Sequence, residues 1–120
     1  NEITETNAPQ VKSRLMVEGA NGPTTTEADE ILVKNKTFIV PDVLANSGGV
    51  LGSYFEWVQN LHRESWTMDE FNAQLEKKIV KAFHDVYDIA KTYSVTMRTA
   101  AYMIAVKRIS SAMSVLGLFP

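Results

Sequence analysis

Four residues near the middle of the chain offer binding chemistry at helical spacing: Asn46, Val50, Ser53 and Trp57. At 100° per residue they fall in one narrow stripe if a helix begins as early as Asn46. A carboxamide, an apolar wall, a hydroxyl and an indole would then face the same space. The stretch that carries them, Pro41 to Trp57, comes after the β-branched and aromatic run Thr37 to Val40 and opens a helical pattern with apolar residues at Val50, Tyr54, Trp57, Val58 and Leu61. It reads as a strand, a turn and a helix N-terminus. Backbone N–H groups at such a helix start lack intrahelical partners, and Gly48, Gly49 and Gly52 would let a ligand approach the chain closely.

Two further patterns belong to the same rim. Ser47-Gly48-Gly49-Val50-Leu51-Gly52 differs from the dinucleotide fingerprint Gly-x-Gly-x-x-Gly only at its first position. The segment after it, however, is a long amphipathic helix and not a second strand carrying a ribose-binding acid, which argues against a primary fingerprint. Asn21 and Asn46 each come after a strand, at what would be the carboxyl edge of a parallel sheet, where open α/β sheets bind ligands. An Asn side chain offers an acceptor and two donors, enough to fix a carboxamide or a ribose hydroxyl. It also favours turns, so from the residues alone support of its own loop is the stronger reading of each Asn. Ser53 has a comparable alternative in bonding back to the helix backbone. Tyr54, Phe55 and Trp57 read as packing residues.

The elements that must position these groups are legible in order. Asn1 to Arg14 is polar, and Thr6 to Lys12 can make one or two helical turns with Pro9 in the first. Leu15 to Val17 reads as a short buried strand, left through the loop Glu18 to Pro23. Thr24-x-x-Glu27 is a capping box, and Ala28, Ile31 and Leu32 continue at helical spacing to about Asn35. Thr37 to Val40 is the second strand, stopped by Pro41. Strand, helix, strand in so few residues predicts a βαβ unit with parallel strands. A helix from about Gly48 to Leu61 comes next, then the polar link His62 to Ser65. A second capping box, Thr67-x-x-Glu70, precedes Phe71, Leu75, Ile79, Phe83, Val86, Ala90 and Tyr93, which predicts a helix of roughly 25 residues with a charged outer face. Thr96 caps a last helix whose stripe is Met97, Ala101, Ala105, Ile109, Ala112 and Leu116, with Gly117 as its stop and Leu118 to Pro120 beyond.

Composition removes several function classes. A 120-residue chain of 13.4 kDa makes at most one domain. A formal charge of −2 with pI near 5.7 leaves no basic surface to neutralise phosphates, so nucleic acid is not an expected partner. Cysteine is absent, which excludes thiolate chemistry and suits the cytoplasm. His62 and His84 lack the spacing of a zinc site, and no metal is expected. No apolar run approaches a membrane span, and the first residues are too polar for a signal peptide.

Ala45-Asn46-Ser47-Gly48-Gly49-Val50, Ser53-Tyr54-Phe55-Glu56-Trp57, Val17-Glu18-Gly19-Ala20-Asn21-Gly22-Pro23-Thr24-Thr25 and Met97-Arg98-Thr99-Ala100-Ala101-Tyr102 together resemble the second half of the coenzyme domain of glutamate dehydrogenases, in the Glu/Leu/Phe/Val dehydrogenase family. The resemblance runs over essentially the whole chain. It implies an α/β fold: the second half of a Rossmann-like coenzyme domain, a short parallel βαβ, followed by long C-terminal helices. Residues 1–61 would be the partial NAD(P)-binding segment, and 62–120 the helical segment of the same domain. Asn21 and Asn46 are implied as coenzyme contacts to NAD or NADP. Ser53 is implied as the contact to the side-chain carboxylate of glutamate, and Val50 as an apolar wall beside its carbon chain. Branched-chain amino-acid dehydrogenases share the motif up to Gly-Gly but carry an apolar residue at the position of Ser53, so Ser53 favours glutamate. Gly52 departs from the family, which has a larger residue there, and glycine in a helix costs about 1 kcal/mol relative to alanine.

The family reaction implied is oxidative deamination of glutamate to 2-oxoglutarate and ammonium by a cytoplasmic enzyme, usually a homo-hexamer. Its lysine and acid belong to a Gly-rich N-terminal domain whose motifs match nothing in this chain, so no catalytic residue is carried over. The chain lacks an initiator methionine, and a start inside a longer protein is implied. Two strands also leave sheet edges unpaired, so they need neighbours from the remainder of the same polypeptide. Alone, the 120 residues are expected to be inactive. The alternatives are a non-catalytic helical interaction module and a branched-chain amino-acid dehydrogenase.

Overall fold

The computed structural model describes residues 2–117. Two three-residue strands, β1 (Leu15–Val17) and β2 (Phe38–Val40), lie parallel, with Leu15 beside Phe38, Met16 beside Ile39 and Val17 beside Val40. Their crossover is α1 (Thr26–Lys34), as a βαβ reading requires. The helix starts one residue later than the capping-box pattern suggests. Thr25 is the N-cap, its side chain accepting from the Ala28 N–H, because the Thr24 hydroxyl is already committed to Glu18. Glu27 thereby falls short of the third helical position and cannot close the box.

β2 ends at Pro41, which is fully buried and leads directly into a one-turn helix, α2 (Asp42–Ala45), where the sequence suggests a simple turn. Asn46 caps the end of α2 and is not the first residue of the next helix, α3 (Gly48–His62). Arg63 stops α3 in the left-handed region at φ 55°. The second capping box is present in both halves: Thr67 accepts from the Glu70 N–H, and the Glu70 carboxylate accepts from the Thr67 N–H. It opens α4 (Met68–Tyr93), whose 26 residues span about 39 Å. Thr96 caps α5 (Met97–Leu116) through the Thr99 N–H, and Gly117 at φ 79° ends it. Residues 118–120, expected beyond that stop, lie outside the described residues, as does Asn1.

The alternation of β2 divides the core in two. Ile39 faces Ala8, Ala28 and Leu32, so α1 and a short 3-10 turn at Ala8–Gln10 cover that side. Val40 faces the opposite way, into a cluster of Leu44, Val86, Ala90, Met97, Ala100 and Ala101 contributed by α2, α4 and α5. The two long helices therefore share one core with the strand that precedes the site.

Several expected burials do not occur. Leu15 and Val17 are 58% and 59% exposed, since no strand among the described residues covers the open side of β1. The α5 stripe is buried at Met97 and Ala101 but bare at Ile109 and Leu116. Tyr54 and Trp57 contact each other and remain half-exposed, while Phe55 alone is buried, against Trp66 and Phe71. The radius of gyration is 17.2 Å, against about 14 Å for a closed globule of this length. None of the described helices is long and apolar enough to cross a membrane.

Candidate functional site

The carboxyl ends of β1 and β2 present two acids in comparable places. Glu18 directly follows β1, and Asp42 opens α2 one residue after Pro41. Glu18 is almost completely buried, a position that demands compensation of its charge. Its Oε1 accepts from the Thr24 hydroxyl at 2.6 Å and from Arg98 Nη2 at 2.7 Å, and its Oε2 accepts from the Asp42 N–H at 2.9 Å. Asp42 Oδ2 accepts from the Gly22 N–H at 2.8 Å; its Oδ1 accepts from the Val43 N–H at 2.9 Å and from Arg98 Nη1 at 3.2 Å. Arg98 also donates to Asp29 of α1 at 3.1 Å. Gly22 stands at φ 55°, where a side chain is strained, so the loop can turn its N–H into Asp42.

One guanidinium thus serves three carboxylates. Burial pushes the Glu18 carboxyl upward, but hydrogen bonds from Arg98, Thr24 and the Asp42 N–H, with the arginine charge, bring the net shift below the usual glutamate value. Asp42 behaves likewise: burial raises it, and the Gly22 and Val43 N–H groups with Arg98 lower it further than that. Burial works against the charge of Arg98, and its bonds to Glu18 and Asp29 outweigh that and raise it.

The two asparagines singled out in the sequence meet beside this cluster. Asn46 Nδ2 donates to Asn21 Oδ1 at 2.6 Å, although 25 residues separate them. Both backbone routes to that contact pass through Asp42. Gly22, next to Asn21, donates to its carboxylate, and the Asn46 N–H donates to its carbonyl at 3.0 Å. The mutual bond uses one donor and one acceptor, leaving the Asn21 amide hydrogens, one Asn46 hydrogen and the Asn46 oxygen for a ligand. That donor and acceptor set fits the carboxamide or ribose hydroxyls of a nicotinamide coenzyme.

Val50 and Ser53 lie farther along α3, both exposed. Val50 borders a groove of about 460 Å³ between α3 and α4 that also has Lys78, Lys81 and Arg108 on its walls; Ser53 is not among its lining residues. The Ser53 hydroxyl makes no hydrogen bond to a described residue, so the helix backbone has not claimed it. A Cβ on Gly48 or Gly49 would meet nothing within 4 Å, leaving the approach to the start of α3 open. Gly52 differs: a Cβ there would stand 3.4 Å from the Phe71 ring, so the space belongs to α4 and not to a ligand.

Sequence reasoning missed the Arg98 cluster. Its signal was an acid within two residues of each strand end, since buried carboxylates require a cation. Nothing in the spacing selects Arg98 from the other arginines.

The chain matches the family model described as Glutamate/Leucine/Phenylalanine/Valine dehydrogenase over residues 1–117. Among curated relatives it is 50% identical to the glutamate dehydrogenase of Thermotoga maritima, across 95% of this chain and 27% of that protein. It is 45% identical to the NAD-specific glutamate dehydrogenase of Clostridioides difficile, across 99% of this chain and 28% of that one. The crystal structure of glutamate dehydrogenase from Peptoniphilus asaccharolyticus superposes with a TM-score of 0.92 at 44% identity, covering 99% of this chain and 30% of its own. The Leu-bound hetero-hexameric glutamate dehydrogenase from Thermus thermophilus gives 0.95 at 30% identity, covering 100% and 29%. The chain therefore spans a little over a quarter of the length of the curated relatives it matches.

Proposed function

The chain belongs to the Glutamate/Leucine/Phenylalanine/Valine dehydrogenase family, and on that premise we propose that it is the C-terminal portion of a glutamate dehydrogenase. Residues 1–61 form the second half of a Rossmann-like coenzyme segment and 62–120 the helical segment of the same domain. The core shared by Val40, Leu44, Val86 and Met97 supports treating them as one unit. Asn21 and Asn46 hold NAD or NADP at the carboxyl rim, and the NAD-specific relative in Clostridioides difficile favours NAD. The coenzyme, when bound, accepts the hydride released as glutamate is oxidised to the imino acid that yields 2-oxoglutarate and ammonium. Ser53 donates a hydrogen bond to the side-chain carboxylate of glutamate, and Val50 lines its carbon chain. The remainder of the polypeptide contributes the proton-transfer groups. The whole is a cytoplasmic oligomer, for which the hetero-hexameric Thermus relative suggests six subunits.

The observation that carries this reading is the 2.6 Å contact between Asn46 and Asn21, with their remaining amide donors and acceptor unspent at the rim of two parallel strands. Steady-state kinetics of the intact enzyme tests it. Asn21→Ala and Asn46→Ala are each expected to raise the KM for coenzyme about tenfold, the cost of one or two hydrogen bonds, and to leave the KM for glutamate nearly unchanged. Unaltered coenzyme KM in both variants would remove the assignment.

A further inference from the structure

Arg98 has no direct part in coenzyme binding as proposed, yet it joins every segment that leads to the two asparagines. Through Glu18 it fixes the end of β1, through Asp29 it fixes α1, and through Asp42 it fixes the start of α2. Asp42 in turn holds Gly22 by its carboxylate and Asn46 by its carbonyl. The chain of contacts from the guanidinium to either amide is therefore short and runs through a single residue, Asp42. We infer that Arg98 is a positioning residue for coenzyme binding: by clamping Glu18 and Asp42 it sets the separation at which the Asn21 and Asn46 amides are presented.

The inference rests on the reading of those asparagines as coenzyme ligands. Its physical basis is that an amide pair binds one ligand well only when both groups are held in place beforehand; a loose pair must be ordered by the ligand, at a cost in affinity. Pro41 is buried and has no N–H, so the backbone at the end of β2 cannot be pinned there by an amide hydrogen bond. The next residue, Asp42, takes up that task through the Glu18 carboxylate. A planar fork with several donors can bond carboxylates on three elements at once, whereas a lysine ammonium is a point charge on a flexible stem.

Coenzyme dissociation constants and steady-state parameters of the full-length enzyme, with and without Arg98→Lys, Asp42→Asn and Asn21→Ala, test this. Arg98→Lys and Asp42→Asn are each expected to weaken coenzyme binding about tenfold while the KM for glutamate stays within about twofold. In the Asn21→Ala background the effect of Arg98→Lys should shrink to less than about threefold, because the amide it positions is gone. A purely structural role predicts otherwise: a fall in kcat with the folded fraction, coenzyme affinity unchanged, and effects of the two substitutions that multiply in full. Either of those last two results overturns the inference. If Asn21→Ala weakens the coenzyme and both Arg98→Lys and Asp42→Asn do not, the positioning role alone fails. If Asn21→Ala itself has no effect on binding, Asn21 is not a coenzyme contact and the positioning role fails with it. Should Arg98→Lys prevent folding, Asp42→Asn decides, since it retains the size of the side chain while removing its charge and one of the two acceptor oxygens that hold Gly22 and Arg98.

Discussion

Arg98 Nη2 lies 2.7 Å from Glu18 Oε1 across eighty residues of sequence, joining the N-terminal turn of the second-longest helix to the end of the first strand. The pair matters energetically because Glu18 is buried and Arg98 is its cationic partner among the described residues. Loss of the arginine leaves a charge in the core, the costly way to break an ion pair.

The depressed carboxyls of Glu18 and Asp42 make stability depend on pH. A group whose folded value lies below its unfolded one contributes stability that is complete above the unfolded value and lost as pH falls through the folded one. The ordinary values are 4.5 and 3.8, so stability should hold above about pH 4.5 and decline below it. Arg98, shifted upward, stays charged throughout that window and adds no slope. Denaturant midpoints of the intact enzyme from about pH 6 to about pH 3 are the check, and Glu18→Gln should flatten the decline. An unchanged slope in that variant would assign the acid sensitivity to other carboxyls.

Gly52→Ala should stabilise. Alanine gains about 1 kcal/mol of helix propensity over glycine, and its Cβ would rest 3.4 Å from Phe71 Cζ, an ordinary contact. The thermal midpoint of the intact enzyme should rise for Gly52→Ala and drop for Gly52→Leu, whose extra carbons enter the Phe71 ring. A fall in both would mean that α3 and α4 already touch too closely for any side chain.

Ser53→Val separates glutamate from branched-chain substrates. If the hydroxyl donates to the glutamate carboxylate, its removal should raise the KM for glutamate about tenfold or more, the worth of a hydrogen bond to a charged group, with the KM for coenzyme unmoved. A near-normal glutamate KM, with improved use of valine or leucine, would favour the branched-chain alternative.

The 120 residues alone should show no glutamate-dependent reduction of NAD or NADP, and should bind a dye such as ANS. Val50, Val115 and Leu116 are 72%, 83% and 69% exposed, apolar surface that an independent globule seldom carries on this scale. Cooperative unfolding without dye binding would support a self-sufficient helical module instead.

Much of this fold was legible because local signals agreed. The strands, the crossover and the two long helices declared themselves through period, Pro41 and the threonine caps, and Thr67 with Glu70 formed the box in full. The slip from Thr24 to Thr25 was not legible, since it depends on Glu18 taking the Thr24 hydroxyl. The ends of α3 and α4 could be placed near Leu61 and Tyr93 from where the apolar period lapses, but not the left-handed turns that make them, at Arg63 and Ser94 with φ 55° and 52°, which lack the glycine or asparagine that usually marks such a stop. At the site, the two asparagines could be chosen from their places after strands, but their meeting depends on α2, a turn of helix too short to have a period. The Arg98 cluster is set by tertiary packing of α5 against the strand ends: the acids after each strand mark where a cation is needed, but charge spacing does not say which arginine supplies it.

The most direct measurement is a crystal structure of the intact enzyme with NAD bound. The expected result is coenzyme oxygen or nitrogen atoms within about 3 Å of the Asn21 and Asn46 side-chain amides, with Asp42 still held between Gly22 and Arg98. A coenzyme seated elsewhere, with both amides turned to solvent or to another subunit, would contradict it.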